Sequence, residues 1–115
     1  MYEINLQSGI PIYDQLMKMI ISRILSGILK PNDQLPSVRI LAKEIGSNPN
    51  TVSKTYKELE REKIIYSVPG KGSFVSEIDI KKMEQYLLSE FDNQIKIALN
   101  IGFSKEALKQ RIDEL

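Results

Sequence analysis

The chain has 115 residues, 16 Lys/Arg against 15 Asp/Glu, 42% hydrophobic residues, and neither Cys nor His. This composition supports one domain, or a small domain with a short appendage, and it removes disulfides, thiolate or imidazole metal sites and the usual general bases. The chain opens without a basic segment leading into an apolar run, and no apolar stretch approaches a bilayer span, so the expectation is a cytoplasmic protein with no membrane partner.

Net charge is +1, but its placement is uneven. Residues 1–75 carry ten Lys/Arg and seven Asp/Glu, whereas residues 76–115 carry six and eight. A basic front part thus precedes a mildly acidic tail piece.

Residues 2–9 read as irregular, with Gly9 as a breaker. Pro11 suits a first helical turn, and Ile12, Leu16, Ile20, Ile24 and Ile28 then recur every four residues, joined by Tyr13, Met17, Ile21 and Leu25. This predicts a first helix ending near Gly27. Lys30–Asp33 reads as a turn. Ser37 can cap a second helix over 37–45, with Val38, Leu41, Ala42 and Ile45 facing inward and Gly46 as a left-handed stop.

Asn48 can cap a third helix that has Pro49 in its first position and runs to about Glu62. At about 100° per residue, Ser53, Lys54, Lys57 and Arg61 fall on one side with Asn50, while Val52, Tyr56 and Leu59 fall opposite. One face is core; the other is a cationic strip with short hydrogen-bonding groups at its N-terminal end. Ile64–Val68 and Ser73–Val75 have strand character around Pro69-Gly70-Lys71-Gly72, a turn with a cation at its tip. Three helices and a hairpin describe a winged helix-turn-helix, in which helix three enters the major groove and the wing approaches the backbone.

From about Ile78 the period is helical again. Met83, Leu87, Phe91, Ile95 and Leu99 repeat every four residues with Tyr86 beside them, and Asn100-Ile101-Gly102 ends the run. Ser104 can cap a last helix carrying Leu108, Ile112 and Leu115, with Phe103 stapled onto Leu108. Two such helices cannot bury their stripes alone. They fold back on the first domain or pair with another copy, and their place after a complete domain favours pairing.

Leu35-Pro36-Ser37-Val38-Arg39-Ile40-Leu41-Ala42, then Gly46, Asn50-Thr51-Val52, Tyr56, Leu59, Ile64-Ile65 and Gly70-Lys71-Gly72-Ser73-Phe74-Val75, resemble the GntR family of bacterial transcription regulators. The leading Pro-Ile-Tyr-Asp-Gln-Leu and the short tail look like the YtrA branch. The resemblance implies phosphate or base contact by Arg39, groove contacts by Asn48, Pro49, Asn50 and Ser53, and wing contacts by Gly70 and Lys71. It also implies dimerisation through the C-terminal helices. Many family members have a basic residue where this chain has Pro49, so a base contact is missing or is supplied by Asn50.

The expected fold is therefore mainly α with a small β-hairpin: a winged helix-turn-helix over 1–76 and a helical dimerisation region over 77–115. The expected DNA-binding set is Ser37, Arg39, Ser47, Asn48, Pro49, Asn50, Thr51, Ser53, Lys54, Lys57, Gly70, Lys71 and Gly72. The expected dimerisation set is Met83, Tyr86, Leu87, Phe91, Ile95, Leu99, Leu108 and Ile112. The expected partners are double-stranded DNA and a second copy, with repression as the expected role and any effector unknown. A protein-binding winged-helix adaptor is the alternative, disfavoured because the outer face of helix three lacks an aromatic or aliphatic anchor. Carboxylates such as Glu44 and Glu58 occur only on helix surfaces, and nothing marks a nucleophile, metal ligand set or cofactor cradle, so no enzyme is expected.

Overall fold

The computed structural model describes residues 3–77 and 80–115; the expected start of the fourth helix at Ile78 lies outside them. Two compact units are present, Met1–Met83 and Glu84–Leu115. The division falls inside a helix rather than after residue 76.

In the first unit, α1 spans Ile12–Leu25 with Pro11 just before it. Leu16, Met17, Ile20 and Ile21 are fully buried. Ile28, expected to continue this stripe, lies beyond the break at Gly27 (φ 82°) and is 65% exposed. Helix α2 spans Val38–Ile45. Ser37 Oγ accepts from the Ile40 N–H at 3.2 Å, and Gly46 closes the helix at φ 69° while the Ser47 N–H donates to the Ala42 carbonyl.

Helix α3 spans Pro49–Arg61 and is capped by Asn48, whose Oδ1 accepts from the Asn50 N–H at 2.8 Å. Its end is closed by Lys63 at φ 61° and by the Ile64 N–H on the Leu59 carbonyl. Both α1 and α2 pack on α3. Val52 and Leu59 are fully buried and Tyr56 nearly so. The buried Thr55 hydroxyl bonds the Thr51 carbonyl, which meets its need for a partner.

Strands β1 (Ile65–Val68) and β2 (Gly72–Val75) pair antiparallel, Ile65 opposite Val75 and Val68 opposite Gly72. The Lys71 N–H donates to the Val68 carbonyl across Pro69-Gly70, and Gly70 has φ 75°; a type II turn requires this combination. Tyr66 and Phe74, opposite each other, stack with centroids 5.5 Å apart, and the Tyr66 hydroxyl donates to Asn32 Oδ1.

The periodicity hid a third piece of this sheet. Residues 32–35, expected only as a turn and a lead into α2, run along β2. The Asn32 N–H bonds the Val75 carbonyl, the Val75 N–H bonds the Asp33 carbonyl, and the Leu35 N–H bonds the Ser73 carbonyl. The protein is thus mainly helical with a small hairpin, a winged helix-turn-helix.

Helix α4 spans Ile80–Ile101, and Gly102 (φ 122°) ends it. Helix α5 spans Lys105–Glu114, where Ser104 Oγ accepts from the Ala107 N–H. Met83, near the start of α4, belongs to the first unit and is 1% exposed. It is a core residue there, a correction to its expected place on an open pairing face. In the second unit no described residue is buried.

Candidate nucleic-acid interface

The outer face of α3 follows from its inner one. Because Val52, Tyr56 and Leu59 fix the roll of the helix, Asn50, Ser53, Lys54 and Lys57 must point away from the core. These four line one open depression together with Glu58 and Arg61. Asn50, Lys54 and Lys57 are exposed, Ser53 half-buried.

Two side chains in this depression do something the helical wheel does not reveal. Arg61, expected as the last cation of the strip, forks onto both carboxylate oxygens of Glu58 and also reaches Glu62 at 2.8 Å. The bond to Arg61 holds the Glu58 carboxyl below its usual range, and Glu58 in turn pushes the Arg61 guanidinium pKa up. The strip is therefore cationic at Lys54 and Lys57 and locally neutralised one turn later. Lys54 itself sits over the Tyr13 ring, with Nζ 4.7 Å from the centroid. The Tyr13 hydroxyl is held above its ordinary pKa by burial first and by Glu58 next.

A second depression joins Arg39, Ser47 and Pro49, and adds Ile40, Ala42 and Lys43. Lys43 was missed from sequence. It stands four residues after Arg39 on α2, so their shared face was the available signal. Ser37 is exposed, but its Oγ is engaged as a cap; the same holds for Asn48 Oδ1. Thr51 is half-buried.

At the wing, Gly70 and Lys71 are exposed, and a Cβ on Gly70 would meet nothing within 4 Å. Gly72 is the opposite case: its φ is 128°, and a Cβ there would stand 2.8 Å from Gln34 Nε2. That amide donates to the Lys71 carbonyl at 2.8 Å.

In the second unit, Phe91, Ile95, Leu108 and Ile112 share one depression between α4 and α5. Phe91 and Ile112 are 44% and 50% exposed, while Tyr86, Leu87 and Leu99 are half-buried. Among the described residues no cluster of three or more Asp/Glu is placed to hold a metal, and no helix is long and apolar enough to cross a membrane.

Residues 12–75 match the family model for bacterial regulatory proteins of the gntR family. The HTH-type transcriptional repressor YtrA of Bacillus subtilis is 53% identical over 77 residues, which covers 67% of this chain and 59% of YtrA. Among solved structures, a GntR family transcriptional regulator from Listeria monocytogenes superposes with a TM-score of 0.79 at 31% identity, over 96% of this chain and 99% of that one. The DNA-binding domain of AraR in complex with operator ORE1 superposes at 0.56 with 28% identity, over 66% and 93%. The chain belongs to the GntR family of bacterial regulatory proteins, whose members are regulators rather than enzymes.

Proposed function

We propose that this protein is a sequence-specific DNA-binding repressor that acts as a homodimer on a roughly palindromic operator. One observation carries the DNA reading: Asn50, Ser53, Lys54 and Lys57 form an outward row on a helix whose opposite side is locked into the core. Asn can bond an adenine edge at two atoms, whereas lysines attract phosphate without reading sequence. Lys71 at the wing tip and the Arg39–Lys43 face of α2 supply further charge for the backbone. The operator-bound AraR domain supports the same use of the fold, and the repressor role is drawn from YtrA.

Homodimerisation is supported by the second unit, which exposes Leu88, Phe91, Ile97, Ile101 and Ile112 and buries no described side chain. A helix pair this apolar gains stability by covering those faces with their own symmetry mate. Two copies then present two α3 helices, and a half-site spacing of about one helical turn of duplex follows.

The test is fluorescence anisotropy of the full chain with a random-sequence duplex across a salt series. Binding that weakens steeply with salt, and more gently for Lys57→Ala and Lys71→Ala, supports the reading. A salt-independent or absent interaction overturns it and favours a protein-binding adaptor.

A further inference from the structure

A side chain 37 positions earlier reaches the wing tip. Main-chain pairing brings residues 32–35 alongside β2, and the Gln34 side chain then extends along the hairpin to the Lys71 carbonyl at 2.8 Å. That carbonyl belongs to the Lys71–Gly72 peptide plane, whose orientation is set by the rotations on either side of it. Glycine at 72 accommodates the observed φ of 128°, and its pairing with Val68 ties the N–H side of this plane to β1. The amide holds the other side of the plane, its carbonyl, at the last rung before the turn, and the missing Cβ at Gly72 gives it room to reach.

We propose that Gln34 is a positioning residue for DNA binding: it fixes the Lys71–Gly72 peptide so that the Lys71 ammonium is presented to a backbone phosphate. The proposal rests on the DNA-binding reading above. It pairs two residues that sequence patterning treats as unrelated, a polar residue before α2 and a glycine after the turn. Gln34 itself needs no contact with the duplex.

Gln34→Met keeps length and neutrality but removes the donor. In the full chain it should weaken binding to a random-sequence duplex severalfold and flatten the log–log salt slope by up to about 0.9, the loss of one phosphate contact. Added to Lys71→Ala, it should change nothing further, whereas added to Lys57→Ala its effect should appear in full. Gln34→Ala should behave the same way. In the free protein, the Lys71 and Gly72 amide NMR signals should shift or broaden in Gln34→Met, with those of α3 unmoved. A parent-like salt slope, a loss that adds fully to that of Lys71→Ala, or unmoved tip amides each overturns the tether. If the parent shows no salt-dependent duplex binding, the DNA reading has failed instead, and with it the proposed role; the tip amides then judge the tether alone.

Discussion

The Tyr56 hydroxyl donates to the Pro36 carbonyl at 2.6 Å, tying the middle of α3 to the segment that leads into α2. The same segment pairs with β2 through Leu35 and carries the Ser37 cap. Residues 32–37 thus hold α3, α2 and the wing in one frame. Tyr56→Phe keeps the ring but strips this bond, leaving the Pro36 carbonyl without its donor. Chemical denaturation should show a loss of about 0.5–1.5 kcal/mol. Unchanged stability would mean that the bond contributes nothing to the frame.

Asn50 and Lys57 share the outer face of α3 but should behave differently. Asn50→Ala should relax preference at one base pair, at a cost of about 1–3 kcal/mol on the preferred sequence. Lys57→Ala should weaken binding to all sequences alike and reduce the salt slope. Competition binding with single-base operator variants separates the two; equal losses on every variant for Asn50→Ala would remove it from base readout.

The Glu58–Arg61 fork neutralises a cation on the outer face of α3. Glu58→Gln should leave Arg61 with Glu62 as its one remaining carboxylate partner, raise the net charge of this face by one, tighten non-specific binding and steepen its salt dependence. The pH dependence follows the same pair. The Glu58 carboxyl is lowered from 4.5, so its contribution to folding is complete above the unfolded carboxylate range and is lost as pH falls through the lowered value. Tyr13 moves the other way, above 10, and the chain has no His. Duplex affinity should therefore stay flat between about pH 6 and 8, where neither an ordinary carboxylate nor an ordinary phenol titrates. A titration step inside that window, seen by anisotropy at constant ionic strength, would contradict this assignment of charges.

Phe91 and Ile112 line the open depression of the second unit. Replacing both by Ser should give a monomer by light scattering, with the first unit's fold intact by circular dichroism and operator affinity sharply reduced. A dimeric mass for this double variant would place the pairing surface elsewhere.

Much of the fold was legible because its boundaries are written in residues with a single local job. Ser37, Asn48 and Ser104 cap helices, Gly46 and Gly102 end them, and all five do so in the structure. The roll of α3 was equally legible, since Val52, Tyr56 and Leu59 leave it one orientation. What periodicity could not show were pairings that depend on long side chains or distant backbone. Arg61 satisfies both the helical wheel and the fork to Glu58, and only its rotamer decides between them. The run along β2 by residues 32–35 has no alternation to reveal it, because its partners lie some forty positions later. Met83 continues an α4 stripe in sequence yet is spent in the first unit's core. A four-residue repeat records that a face is apolar without recording what covers it.

Selection of bound sequences from a random duplex pool by the full-length chain tests the central claim most directly. The pool should enrich for two inverted half-sites about one helical turn apart, with loss of preference at one position in each half for Asn50→Ala. A pool that stays random after repeated rounds, or a motif indifferent to Asn50, would contradict that claim.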